Sequence, residues 1–336
     1  MEFSKLGRYN RSAVSAITMV APMIERARAA RRPATRRAPL LAEHLEQRLV
    51  LAHAANLSVS LWTAIGPAPV SGPGLVFGAQ SGRVEVFASH PTDPNTAYIG
   101  SDQGGVWKTV NWLSANPTWV PLTDSQPSLQ SHVHSLVVAR SNPNIIYAGA
   151  GGPGGGLLKS SDGGITWTLL GNALFDGSEF GAVIVSPNDA NIVFVATQCG
   201  STMPQGVFKS INGGMTWTNT TATVHGGCVA DLVIDPTNAA VLYAGMVNDP
   251  GNLSDGIYKT ANGGATWTRL SSGLPFGAMI GEEISLAVAP SSAQVIYATI
   301  FNAATGRPER FRSNNGGVSW TSADITGAAR YTGGCS

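Results

Sequence analysis

The chain has 336 residues, 43% hydrophobic and 12% charged, with 40 glycines, 20 prolines and a formal net charge of +1. That length and apolar content suffice for a large buried core, and the glycine and proline load fits an all-β protein with many tight turns. The near-zero balance hides an asymmetry: residues 1–48 carry ten Lys or Arg against four acids and the remainder eleven against sixteen, so the body has no basic footprint for nucleic acid.

Residues 1–55 read as an export leader. Lys5, Arg8 and Arg11 precede an apolar stretch at 13–24, an Arg-rich segment follows, and a second apolar run leads to Ala52-His53-Ala54, a small-residue cleavage pattern. Residues 45–52 resemble the L-E-x-R-x-L-L pattern at the head of many large exported bacterial proteins. No uninterrupted apolar run reaches ~18 residues, so no permanent membrane span is expected.

The body, 56–336, opens with an alternating stretch at 58–65 whose Trp62 and Thr63 suit an outer strand. After a Gly/Pro-rich loop, five repeats follow at about 83–122, 132–170, 181–220, 228–270 and 283–323. Each begins with two short apolar strands split by a turn: 84–88 and 97–100, 136–139 and 145–149, 183–185 and 192–196, 232–234 and 241–245, 286–288 and 295–299. Second-strand aromatics Tyr98, Tyr147, Phe194, Tyr243 and Tyr297 recur at 49, 47, 49 and 54 residues and set the register. Such runs suit strands covered on both faces.

A ten-residue box closes the repeats. Lys-Ser-Ser-Asp-Gly-Gly-Ile-Thr-Trp-Thr at 159–168 returns in variant form at 209–218, 259–268 and 312–321, with Trp167, Trp217, Trp267 and Trp320 spaced by 50, 50 and 53 residues. The period is near the ~40–50 residues of a propeller blade. Mechanically the box is a hairpin: Lys159 and Ser160 end a strand, Asp162, Gly163 and Gly164 turn, and Thr166, Trp167 and Thr168 open the next strand. Asp162, or Asn212, Asn262 and Asn315 in the later copies, accepts backbone N–H groups, while the indole packs between sheets. In the first repeat the box is degenerate, with an insertion between Asn111 and Trp119 that lengthens its turn.

Ser160, Asp162, Gly164, Thr166 and Trp167 match S-x-D-x-G-x-T-W, so the repeat resembles the Asp-box, or bacterial neuraminidase repeat, of sialidases, xyloglucanases and sortilin-type receptors. The resemblance implies an all-β fold, a β-propeller of four-stranded blades with at least five blades, in which the boxes are structural and lie away from the active site. After the fifth box the sequence supplies an outer strand at 321–325 and the start of a sixth inner strand at 328–332. An incomplete or truncated ring is therefore expected.

Alternating strand direction sorts the loops onto two faces. On the face away from the boxes the candidate binding residues are Asp102, His132, His134, Glu179, His225 and Glu282, with Asp249, Asp255 and Glu283 nearby. Residues 100–105 resemble the D-x-G-G that follows the second strand of the first blade in xyloglucanase-type hydrolases, which implies a catalytic role for Asp102. A glycosidase needs a second carboxylate; in that family it comes from a second propeller, and the sequence offers no partner here. A sialidase would need an arginine triad, and no R-I-P motif is present.

His132 and His134 would share one side of a strand, but without a third ligand they do not make a metal site. Cys199, Cys228 and Cys335 lack zinc spacing. Cys199 and Cys228 fall on one face of adjacent repeats and are candidates for a disulfide closing a ~30-residue loop. No cofactor or metal is expected. The reading is a secreted or cell-surface carbohydrate- or protein-binding module, its partner a polysaccharide or an extracellular protein. The alternative is a glycoside hydrolase of xyloglucanase type using Asp102, and a third reading is a sortilin-like receptor ectodomain.

Overall fold

The computed structural model describes residues 83–323 except 103, 124–131, 153, 200–203, 225, 249–253 and 276–279. The expected leader, the strand at 58–65 and the sixth inner strand at 328–332 lie outside those residues. Two units are distinguished. Of the first, Met1–Ile65 with Leu113–Pro117, the described part is the Leu113–Pro117 turn, in which Asn116 N–H donates to Ser114 Oγ at 3.3 Å. The second, Gly66–Trp112 with Thr118–Ser336, holds the described strands.

The described residues of this second unit form a β-propeller of five four-stranded antiparallel sheets, each in simple sequential order. Blade 1 is β1 (Val84–Ser89), β2 (Ala97–Ser101), β3 (Gly105–Thr109) and β4 (Val120–Pro121). Blade 2 is β5 (His132–Val138), β6 (Ile146–Gly151), β7 (Gly156–Ser160) and β8 (Thr168–Leu170), followed by α1 (Asn172–Phe175). Blade 3 is β9 (Phe180–Val185), β10 (Val193–Thr197), β11 (Gly206–Ser210) and β12 (Thr218–Asn219). Blade 4 is β13 (Cys228–Ile234), β14 (Leu242–Val247), β15 (Gly256–Thr260) and β16 (Thr268–Leu270). Blade 5 is β17 (Ile280–Val288), β18 (Ile296–Asn302), β19 (Arg307–Ser313) and β20 (Thr321–Ser322).

Several boundaries differ from the sequence reading: β5, β9 and β13 begin at His132, Phe180 and Cys228 rather than at 136, 183 and 232. The outer strand β20 is shorter than 321–325, and β17 starts at Ile280 rather than at 286. Thr166 and Trp167, expected to open a strand, stand in the turn before β8, because the hydroxyl and the indole N–H both bond back to turn atoms. The short helix α1 was not foreseen; its Phe175 is fully buried and meets the rings of Phe208 and Trp217 edge-on at 5.5 and 5.2 Å.

Consecutive blades share apolar clusters. Tyr98 and Val106 of blade 1 pack with Val133, Leu136 and Trp167 of blade 2, and Leu157, Val207 and Ile257 repeat the role of Val106 against the blades that follow. Burial of each such side chain contributes ~1.5–3 kcal/mol. Gly100 on β2 makes the approach possible, since a Cβ there would collide with Val133; Gly149 and Gly245 make the same room for Phe180 and Ile284.

Polar bonds stitch the same seams. Lys108 Nζ donates to Gly163 O of the next blade at 3.1 Å, Lys159 to Gly213 O at 3.1 Å, Lys209 to Gly263 O at 2.7 Å and Lys259 to Gly316 O at 2.7 Å. Each ammonium lies over its own blade's aromatic, Tyr98, Tyr147, Phe194 or Tyr243, which adds a cation–π attraction. Between blades 4 and 5, Asp231 accepts from the backbone N–H of its neighbour Leu232 and from that of Leu286, both at 2.7 Å. Burial pushes its carboxyl up to about 7, against the pull of those two bonds.

The box turns are closed networks. Ser160 Oγ donates to Asp162 Oδ1 and accepts from Gly164 N–H, Asp162 accepts from the N–H and hydroxyl of Thr166, and Trp167 Nε1 donates to Gly164 O. The Thr166 hydroxyl first, then its N–H and Ser160, hold the Asp162 carboxyl down at about 2. Gly163 and Gly164 take φ of 74° and 96°, the left-handed region that side chains resist. Where Asn212, Asn262 and Asn315 stand, Oδ1 still accepts the N–H, and Nδ2 donates to the hydroxyl of Thr216, Thr266 or Ser319 at 2.8 Å.

Candidate functional site

At the end opposite the boxes every inner strand is interrupted. In β1, Glu85 falls between the pairs Val84↔Ser101 and Val86↔Gly100; in β5, His134 falls between Val133↔Ala150 and Ser135↔Gly149. Gly181 and Ala230 hold the same place in β9 and β13, and residues 281–283 fill the gap in β17. Such a bulge sets two residues against one and re-aims a side chain. Glu85 and His134 are therefore equivalent residues of neighbouring blades, freed from the ladder.

Blades 1 to 3 bring six polar side chains together at this end. Asp102 follows β2, and its N–H donates to Arg83 O at 2.8 Å, which pins the strand end to the start of β1. Its carboxyl meets His132 Nδ1, at the head of β5, and lies 3.9 Å from Arg83 Nη2. Arg83 Nε also pairs with Glu85, whose side chain is only 3% exposed. His134 Nε2 meets Glu179 Oε2 at 3.0 Å, just before β9. The two imidazoles are parallel within 3°, with centroids 5.8 Å apart. Gly151, opposite His132 in the ladder, leaves open the place where a Cβ would strike the Glu179 carboxyl.

Electrostatics follow from this crowding. The hydrogen bond to Glu179 holds His134 above the ordinary histidine range; burial opposes it, and the charges of Glu179, Glu85 and Asp102 assist it. His134 thus keeps its proton to higher pH than a free imidazole. Side-chain exposures of 27% for Asp102, 40% for His132 and 30% for Glu179 leave these groups within reach of a ligand.

Four of the six sequence candidates, Asp102, His132, His134 and Glu179, converge here. His225 lies outside the described residues. Glu282 lies in β17, and its side chain is not among the described ones. Asp255 is buried and accepts from Asn248 N–H at 3.1 Å, a loop-closing bond rather than a ligand contact. The sulfurs of Cys199 and Cys228 are bonded, with Cα atoms 5.2 Å apart, tying blade 3 to blade 4 on this face. Among the described residues no three His, Cys, Asp or Glu side chains gather to hold a metal ion.

Glu85 escaped the sequence reading. Val84-Glu85-Val86 alternates like an ordinary strand, and its likeness to His134 emerges only when the register is known. The box end of the inner strands is different in kind, an open apolar recess of about 440 Å³ lined by residues such as Val137, Ile184, Val233 and Pro236. Among the described residues no helix is long and apolar enough to cross a membrane.

The chain matches no family profile. It is 30% identical over 156 residues to the xyloglucanase Xgh74A of Acetivibrio thermocellus, a match covering 41% of this chain and 18% of that enzyme. A xyloglucanase from Paenibacillus sp is 27% identical over 149 residues, 40% of this chain and 14% of that one. Among solved structures, the GH74 enzyme of Niastella koreensis shares the fold with a TM-score of 0.50 and 23% identity, over 77% of this chain and 46% of that one. The chain thus spans less than half of that structure, and under a fifth of either xyloglucanase is matched.

Proposed function

We propose that this propeller binds and hydrolyses a polysaccharide of the xyloglucan class, with Asp102 as a catalytic carboxylate. The observation that carries the reading is the place of Asp102: on a D-x-G-G turn of the first blade, on the face free of boxes, beside a histidine pair and two further carboxylates. The partial identity to xyloglucanases supports it. Hydrolysis requires an acceptor for the proton of the attacking water, and Asp102 is assigned that role. The disulfide between Cys199 and Cys228 suits an oxidising compartment, so we place the protein outside the cytosol, secreted or at the cell surface.

The test is to incubate the purified chain with xyloglucan, measuring new reducing ends and, by calorimetry, binding. The unmodified protein is expected to release oligosaccharides, and Asp102→Asn to lose about 100-fold or more without a change in melting temperature. Binding without release would establish the module reading instead. The absence of both binding and release would refute a role on this polysaccharide.

A further inference from the structure

We infer that the pair formed by His134 and Glu179, carried by this same propeller, is the proton donor that complements Asp102; the inference rests on the hydrolase reading above. Two carboxylates enter from the blades on either side of blade 2, and each ends on one of two parallel imidazoles from a single strand. Asp102 had no partner along the sequence, and His134, whose ring lies parallel to that of His132 and meets Glu179, supplies one.

Glu85, the other carboxylate nearby, is excluded by access. Its side chain is 3% exposed and closed off by Arg83, so it does not touch a ligand. Glu179 is 30% exposed and lies against Gly151; Gly152 and Gly154, which follow, have no atom within 4 Å of the position a Cβ would take.

The glycosidic carbon–oxygen bond breaks with its electron pair going to the leaving oxygen, which takes the proton held between His134 Nε2 and Glu179 Oε2. Water adds to the anomeric carbon and gives its proton to Asp102, and exchange with solvent restores both groups. The charged or titratable groups facing His134 are Glu85 from β1, with Arg83 before it, Asp102 after β2, His132 on β5 and Glu179 before β9. The negative members favour the protonated ring, so the donor keeps its proton to higher pH than a free imidazole does.

The experiment compares His134→Gln, Glu179→Gln and Asp102→Asn on a xyloglucan oligosaccharide and on its 2,4-dinitrophenyl glycoside, whose leaving group needs no proton. Removing the donor is expected to slow the natural substrate about 100-fold or more and the activated one by less than about 10-fold, and to shift the alkaline limb of the pH profile. Asp102→Asn is expected to slow both. The ratio of the two rates is insensitive to partial unfolding, since a smaller folded fraction scales both equally. Equal losses on the two substrates, or no loss, would overturn the donor assignment and leave the hydrolase reading standing. Failure of the unmodified protein to bind or cleave either substrate would overturn both.

Discussion

At the box end, blades 2 to 5 repeat one network: a hydroxyl, a carboxylate or amide, two glycines and a tryptophan, joined by the same bonds except that the Trp267 indole donates to Thr220 Oγ1, where Trp167, Trp217 and Trp320 donate to a glycine carbonyl of their own turn. At the other end no two blades agree. The bulge position is Glu85, His134, Gly181 and Ala230 in turn, and the residue after the second strand is Asp102, Gly152, Gln198 and Asn248. Uniformity marks the demand every blade shares, closing a hairpin and offering its glycine carbonyl to the previous blade's lysine. Where that demand lapses, the chain is free to place chemistry.

The contrast breaks if stability proves to depend on the variable end. Trp167→Ala is expected to cost about 3 to 5 kcal/mol, since that indole is 7% exposed between blades 1 and 2. His132→Ala, on a ring that is 40% exposed, is expected to cost less than about 1 kcal/mol. Urea melts giving the reverse order would discard the division.

A pH titration sharpens the comparison. Asp231 is an acid whose folded value is raised to about 7, so the native state binds the extra proton between the unfolded value and 7. Stability should fall as pH rises through that window, by up to about 4 kcal/mol, and Asp231→Asn should flatten the slope. His134 is a base with a raised folded value; its contribution is complete below 6.5 and lost as pH rises beyond. In thermal melts, His134→Gln should therefore leave the Asp231 slope untouched and alter only the higher range.

Smaller effects probe the seams and the boxes. Lys159→Met removes the donor to Gly213 O and is expected to cost about 1 to 2 kcal/mol, the lower figure if solvent screens the ammonium. Asn212→Asp should change stability by less than about 0.5 kcal/mol. Aspartate at Asp162 keeps the same contacts by reversing one bond to the threonine hydroxyl. A large loss from Asn212→Asp would show that the amide itself is required.

How much of this was legible depended on distance along the chain. Blade number, strand order and the box turn follow from local spacing, because Tyr98, Tyr147 and the tryptophans repeat at fixed intervals and glycines mark the turns. Asp102, His132, His134 and Glu179 were placed on one face by counting strand directions. Their pairing was not readable, since Asp102 and His132 are joined across two blades and a bulge has no signature in the alternation of Val84, Glu85 and Val86. Arg310 shows the converse: it stands two residues before its box, as the apolar Leu157, Val207 and Ile257 do before theirs, so the departure at this ladder position is readable from the box spacing.

The lysine bonds between blades all run one way, from each blade to the box of the one after it. During synthesis a blade therefore leaves the ribosome with its ammonium unmatched, and the acceptor arrives only when a further fifty or so residues have been added. At ~5–20 residues per second that is a delay of about 3–10 s, during which each nascent blade exposes the face its successor will cover. Assembly from the first blade to the fifth is then a relay with a built-in direction. Slowing translation between boxes should lengthen the interval in which a chaperone, or a neighbouring nascent chain, can seize that face.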